Sequence, residues 1–113
     1  MAFYPTNIGS SGGSGSILLP ELSLSAGTSS TASSSYAVFD ISNARTVSFI
    51  WGKTWYANFY VYVDDTLVFS HTTRANLSDQ EYSYAFSNNS TLKLTGGHLN
   101  NDANCIIRNL IIS

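Results

Sequence analysis

Residues 58–70, NFYVYVDDTLVFS, predict two β-strands joined by a tight acidic turn. Apolar and aromatic side chains fill both arms, and the pair Asp64-Asp65 stands at the bend. Successive side chains of a strand point to opposite faces, so Phe59, Val61 and Val63 share one face of the first arm. This hairpin predicts a β-rich fold with one face of the hairpin in the core.

The length of the turn decides which face Leu67 and Phe69 join. A two-residue turn pairs Val63 with Thr66 and puts both residues on the face of the hairpin tyrosines. A three-residue turn, residues 64–66, puts them on the apolar face instead. We expect the three-residue turn, because a slip of one residue would invert a whole arm. The predicted outer face then holds Tyr60, Tyr62, Val68 and Ser70.

The totals predict one domain of a binding or structural class. The chain has 113 residues, of which 43% are hydrophobic, 13% aromatic and 11% charged, with a net charge of −2. Its five Lys and Arg residues are scattered singly, which argues against nucleic-acid binding. No apolar run approaches the ~20 residues that a membrane helix needs. The N-terminus has neither a basic region nor an apolar core, so we expect no secretory signal.

Short alternating segments recur along the rest of the chain, with turn residues between them. Pro20 lacks a backbone donor, so the first long strand should lie at a sheet edge. No segment shows sustained helical periodicity. The expected fold is all-β, an antiparallel β-sandwich of the jelly-roll type. The further strands are predicted at residues 17–24, 36–41, 45–51, 81–86, 91–95 and 105–112.

The first 16 residues, MAFYPTNIGSSGGSGS, predict an extended N-terminal arm ahead of a sandwich at residues 17–113. Residues 9–16 are flexible by composition. Phe3, Tyr4 and Ile8 are the candidate anchors of this arm. We expect the arm to dock on a neighbouring subunit or on the chain's own sandwich.

From Tyr36 onward the pattern resembles the jelly-roll carbohydrate-binding modules of the galactose-binding-like type. The resemblance rests on the strand RTVSFIW, the hairpin FYVYVDDTLV, the strand TLKLTGG and the closing strand CIIRNLIIS. It implies a jelly-roll fold and a carbohydrate-binding function. Asp65 departs from the pattern, since many such modules carry Gly there, and no ligand motif transfers residue by residue.

The organisation also resembles small virion proteins of tailed bacteriophages, which begin with a short aromatic arm such as MAFYPTNIGSSGG and continue as a β-sandwich. This resemblance implies a non-enzymatic structural protein of the tail, baseplate or capsid decoration, located in the virion. Its partners would be other virion proteins or copies of itself, with surface glycans as a further possibility. A free-standing carbohydrate-binding module is the alternative.

Aromatic residues around the hairpin form the candidate binding site. Sugars pack on flat aromatic faces, and Tyr and Trp also dominate protein-interface hot spots. The sequence leaves three alternatives open: a glycan, a protein partner, or an internal cover by the N-terminal arm or a loop. The candidate residues are Tyr60, Tyr62, Trp55, Tyr56 and Val68.

Catalytic and metal chemistry is not expected. The G-x-S-x-G match at residues 9–13 lies in low-complexity sequence without a preceding strand, so it is read as chance. His71 and His98 have no second ligand at zinc spacing. Asp64-Asp65 and Asp102 offer oxygen ligands for Ca²⁺, although turn chemistry explains them equally well. The single cysteine, Cys105, is expected to be a small core residue, and no cofactor is expected.

Overall fold

The computed structural model describes residues 2–4, 17–25, 33–55, 57–98 and 104–113. The described residues form nine β-strands and no helix, which confirms the all-β prediction. No helix in this part of the chain is long and apolar enough to cross a membrane. The strands are β1 (Ala2–Tyr4), β2 (Ile17–Ser25), β3 (Ser33–Asp40), β4 (Thr46–Lys53), β5 (Asn58–Val63), β6 (Thr66–His71), β7 (Leu77–Ala85), β8 (Thr91–His98) and β9 (Asn104–Ile112).

Two sheets pack face to face. The five-stranded sheet has the order β1-β3-β8-β5-β6, and the four-stranded sheet has the order β2-β9-β4-β7. Every pairing is antiparallel except that of β1 with β3. Without β1, this is the two-sheet, eight-strand order of a jelly roll, so the predicted fold class is confirmed.

The core lies between the sheets and is filled by alternate residues of the strands. Its centre is aromatic: the Trp51 and Phe59 rings stack at 5.0 Å, and Phe49 meets Phe59 edge-on at 6.0 Å. Phe69 packs against Tyr82 at 4.8 Å. These contacts join β4 and β7 of one sheet to β5 and β6 of the other, so they hold the sandwich together.

The hairpin turn has two residues, and the prediction of a three-residue turn is wrong. Val63 pairs directly with Thr66. Asp64 and Asp65 adopt positive φ angles of 50° and 64°, as the two central residues of a type I′ hairpin turn do. Aspartate tolerates this conformation better than most residues, so the absent glycine is not decisive.

A β-bulge on β6 explains why only some of its side chains lie on the predicted faces. Val61 pairs with Phe69 and Tyr62 pairs with Leu67, so Val68 is an extra residue on β6. Phe69 therefore packs against the core as predicted, whereas Leu67 is 49% exposed and does not. The prediction that Val68 shares the outer face with the tyrosines is also wrong, because Val68 is half-buried and packs against the core.

A similar irregularity explains why the closing strand β9 carries apolar residues at both odd and even positions. Cys105 and Ile107 are buried, and so are Leu110 and Ile112, because the alternation shifts at Arg108-Asn109. Asn109 has a positive φ of 52°, and the β4–β9 register shifts there. The shift therefore lets both halves of β9 turn their buried residues toward the core. The predicted edge position of the Pro20 strand, β2, is confirmed.

Strand β1 lies on the chain's own sandwich. Ala2, Phe3 and Tyr4 pair in parallel with Ala37, Val38 and Phe39 at the edge of the five-stranded sheet. Of the two expected docking places for the arm, the structure shows this one. Ile8 and the Gly/Ser-rich segment lie outside the described residues.

Several strands are longer than predicted. β3 begins at Ser33 and β7 begins at Leu77, earlier than the predicted starts at residues 36 and 81. β8 continues through Gly96 to His98. A Cβ at Gly96 would lie 3.0 Å from Leu24 Cβ and 3.2 Å from Cys105 Sγ, so glycine allows the two sheets to approach here.

Candidate functional site

The outer surface of the five-stranded sheet carries three tyrosines around one lysine. Tyr36 projects from β3, Lys93 from β8, and Tyr60 and Tyr62 from β5, while the residue that follows each of them is buried in the core. The register brings them together, because Lys93 pairs with Tyr62 and Thr95 pairs with both Tyr60 and Tyr36. We call Tyr36, Tyr60, Tyr62 and Lys93 the tyrosine face.

The rings and the ammonium group of the tyrosine face are in contact. The Tyr60 and Tyr62 centroids are 6.3 Å apart, with ring planes inclined by 39°. Lys93 Nζ lies 4.7 Å from the Tyr62 centroid and 5.8 Å from the Tyr36 centroid. Both distances are within cation–π range. The result is a half-exposed aromatic surface with a positive charge near its middle.

Polar and apolar groups border the tyrosine face. Leu67 lies across from Tyr62 on β6, and Ser70 lies across from Tyr60. Thr95 stands between Tyr36 and Tyr60, and its Oγ1 is buried without a hydrogen-bond partner among the described residues.

The structure separates the residues that the sequence grouped as one site. Tyr60 and Tyr62 lie side by side on the outer face, as predicted. Trp55 lies in the connection between β4 and β5, 48% exposed, and among the described rings none contacts it. Val68 faces the core, and Tyr56 lies outside the described residues.

Sequence reasoning did not place Tyr36 and Lys93 in this site. Both belong to strands that alternate clearly, so their outward direction could be read from the pattern. Their proximity to Tyr62 depends on the order β3-β8-β5, which joins strands far apart in the chain. Sequence alone does not give that order.

A second lysine, Lys53, is buried at the end of the sandwich, only 4% exposed. Its Nζ donates to the carbonyl oxygens of Thr73 at 2.6 Å and Ala75 at 3.1 Å, and to that of Thr54 at 3.5 Å. The ammonium thereby ties the connection between β6 and β7 to the end of β4. Burial lowers the pKa of Lys53 below its ordinary value. We call these three carbonyl oxygens the carbonyl cage.

Two further ionisable groups lie near Lys53. Burial raises the pKa of the Cys105 thiol to about 12, which makes the thiol unreactive and confirms it as a core residue. Burial, together with the charge of Lys53, lowers the pKa of His71. The His71 ring lies 5.4 Å from Trp51, and its Nδ1 is buried without a partner among the residues described. Cys105 and His71 therefore belong to the packed end of the sandwich. They do not form a catalytic pair of nucleophile and base.

The acidic turn has a structural role. Asp64 Oδ1 accepts hydrogen bonds from the backbone N–H groups of Ser90 and Thr91, both at 2.9 Å, and Oδ2 accepts one from Asn89 Nδ2 at 2.9 Å. These bonds lower the pKa of Asp64, the one from Asn89 most strongly.

The calcium hypothesis joined this turn to Asp102, which lies outside the described residues. The strand residues that flank Asp102, His98 and Asn104, lie at the opposite end of the sheets from Asp64. Within the described ranges, no group of three or more His, Cys, Asp or Glu side chains could hold a metal ion. The Asp64 carboxylate is instead engaged by the loop between β7 and β8.

The outer surface of the four-stranded sheet provides a contrast. Leu18 and Ile111 are cross-strand neighbours there, 65% and 42% exposed. A shallow depression of about 330 Å³ lies beside Ile111 and is lined by Ser48, Ile50, Glu81 and Ser83 among others. This surface is apolar in part but carries no aromatic cluster among its described outward residues.

No protein-family model matches the chain, and no curated protein matches it. Among solved structures, a cycloisomaltooligosaccharide glucanotransferase from Paenibacillus sp. is similar over 71% of this chain, with 11% identity and a TM-score of 0.38. The insecticidal delta-endotoxin Cry8Ea1 from Bacillus thuringiensis is similar over 82%, with 12% identity and a TM-score of 0.38. The chain spans only 13% and 19% of the length of those two proteins. At this level neither likeness bears on function.

Proposed function

We propose that this protein is a non-enzymatic attachment module, a structural protein of a bacteriophage virion that binds a surface ligand through the tyrosine face. The observation that carries the proposal is the contact of Tyr36, Tyr62 and Lys93 on the outside of a sheet. Tyrosines provide a large contact area at low conformational-entropy cost. The sheet fixes their spacing, so the surface is already arranged for a ligand.

Three ionisable groups outside the tyrosine face serve the fold, which supports a binding role for the face. Lys53 is held by the carbonyl cage, and Asp64 ties the hairpin turn to the next loop. Cys105 is fully buried, with a raised pKa. On the outer surface of the five-stranded sheet, the tyrosine face offers recognition by aromatic rings and the Lys93 ammonium.

The virion context is supported by composition and organisation. The chain is poor in charge and rich in Tyr, Ser, Thr and Asn, and it begins with a short aromatic arm. Strand β1 shows that the β3 edge accepts an added parallel strand. The same edge on a second copy offers the same backbone groups, so exchange of arms would join copies. Phe3, Tyr4 and Ile8 are the proposed assembly residues.

Deletion of residues 1–16 tests the role of the arm. Only three residues of β1 pair with the sandwich, so the deletion variant should remain folded, with a small decrease in melting temperature. Its assembly should weaken, as measured by native mass spectrometry at matched concentration. Unfolding of the variant would show that the arm belongs to the core, and unchanged assembly would refute the exchange.

Purified particles test the virion assignment directly. The chain should be present in a fixed copy number, as measured by quantitative mass spectrometry of the particles. Particles that carry Tyr60→Ser with Tyr62→Ser should adsorb more slowly to host cells than particles that carry Leu18→Ser with Ile111→Ser on the opposite surface. Absence of the chain from particles would contradict the assignment and favour a free-standing carbohydrate-binding module.

A further inference from the structure

We infer that the tyrosine face binds an acidic glycan, with a sugar carboxylate at Lys93 and the sugar face on Tyr62 and Tyr36. This inference rests on the proposed attachment function and names its ligand class. The position of Lys93 and its free hydrogen-bond donors support it.

The ammonium group of Lys93 has no acidic partner among the described residues. Its contacts are the two tyrosine rings, and neither accepts its N–H groups as a carboxylate would. Asp40, two residues along β3 from the cross-strand neighbour of Lys93, instead accepts hydrogen bonds from Ser42 Oγ at 2.6 Å and Ser42 N at 3.0 Å. The donors of Lys93 Nζ therefore remain available to a ligand.

Any ligand that covers the Tyr62 ring also covers Lys93, because Nζ lies 4.7 Å from the ring centroid. Removing water from an ammonium group is costly unless an acceptor replaces it. A neutral sugar supplies only hydroxyl acceptors, whereas a carboxylate supplies a charged acceptor with shorter and stronger hydrogen bonds. The position of Lys93 therefore favours an anionic ligand.

The composition of the face distinguishes a glycan from a protein or a nucleic acid. Protein interfaces are depleted in lysine at their centres, where aromatic residues are enriched. Here a lysine lies between two of the three tyrosines. Nucleic acid is disfavoured because phosphate backbones need several cations. One ammonium beside aromatic rings matches a sugar that carries one carboxylate.

The test uses polygalacturonate, alginate and a sialyl oligosaccharide as probes, each compared with its neutral methyl ester. Binding of the full chain to immobilised probe is measured at low and at high salt. At low salt the wild-type protein should bind at least one acid form about tenfold more tightly than its ester, and salt should reduce that ratio. Lys93→Met should bind acid and ester equally, and Lys93→Arg should keep the preference. Leu18→Ser is the matched surface control and should behave as wild type.

Three results would overturn the inference. The first is equal binding of acid and ester by the wild type, or no binding of either. The second is a preference retained by a folded Lys93→Met variant. The third is equally tight binding of polyglutamate, which would assign the face to an acidic protein segment. If these results appear while the Tyr60→Ser/Tyr62→Ser particles still adsorb slowly, the acidic-glycan inference fails and the attachment function stands.

Discussion

Two lysines of this sandwich show how the same side chain serves the fold in one place and a surface in another. Lys53 is buried, and the carbonyl cage accepts its hydrogen bonds. Lys93 lies on the open surface of the other sheet, against tyrosine rings. The first lysine stabilises a loop because its donors are satisfied, whereas the second remains able to bind because its donors are not.

The largest expected effect is on stability at Lys53. Lys53→Met should lower the free energy of unfolding by about 2–4 kcal/mol, because it removes the charged donor that the part-buried carbonyl oxygens of Thr73 and Ala75 share. Urea unfolding followed by tryptophan fluorescence measures the change.

Lys93→Met is the matched control, since it makes the same chemical change on the outer surface. It loses cation–π contacts worth about 0.5–1 kcal/mol at exposed sites, so its stability should stay close to wild type. Equal destabilisation by the two substitutions would contradict the assignment of Lys53 to the fold and Lys93 to the surface.

The protein should lose stability at acidic pH because of His71, which lies beside the carbonyl cage. Its pKa is lowered from the ordinary 6.5 by burial and by Lys53, so the unfolded chain binds a proton more readily than the folded one. Stability should therefore be full above pH 6.5 and fall as the pH decreases below it, toward the folded-state pKa. Melting temperatures between pH 8 and 5 measure this slope.

Two variants test whether His71 causes the loss of stability at low pH. His71→Phe should flatten the decrease in melting temperature and keep the packing against Trp51. Lys53→Met should make the decrease smaller, because it removes one cause of the low pKa of His71. A decrease of the same size in His71→Phe would assign the slope to other groups.

A smaller effect is expected at Asp64, where hydrogen bonds lower the pKa of the carboxyl group below its ordinary 3.8. The stabilisation is present above pH 3.8 and is lost as the pH falls through the folded-state pKa. Asp64→Asn should lower the melting temperature at pH 7 and weaken its dependence on pH below 4. Asp65→Asn, at the adjacent turn position, is the control. Identical melting curves for the two variants would refute the special role of Asp64.

The strands themselves could be predicted from alternation, but the irregular positions could not. The pattern of β4 and β5 identifies Val47, Phe49, Phe59 and Val61 as core residues, and all are buried. The same alternation continues to Lys53, which is buried as well, although the predicted strand ends at residue 51. Burial of a lysine becomes understandable only when the carbonyl groups around it are known.

The hairpin shows the limit of register arguments. Burial of Phe69 was predicted correctly, but the predicted turn was wrong. The turn has two residues, and a bulge at Val68 brings Phe69 back to the core face. A bulge inserts one extra residue, so the side chains before and after it exchange faces. No distinctive residue marks this bulge, so the alternation alone could not place Leu67 on the outer face. Only half of the tyrosine face was predicted. Tyr60 and Tyr62 lie on one strand, so the sequence places them together. Tyr36 and Lys93 join them only through the order of the strands in the sheet.

The most direct test of the account separates binding from folding on the tyrosine face. The variant Tyr60→Ser/Tyr62→Ser is compared with Leu18→Ser/Ile111→Ser, which changes two exposed apolar residues on the opposite surface. Each isolated protein is measured for its unfolding free energy and for its affinity to the glycan panel. We predict that the tyrosine variant loses about 1–2 kcal/mol of stability and at least tenfold in affinity, while the control keeps its affinity. A folded tyrosine variant with unchanged affinity would contradict the account.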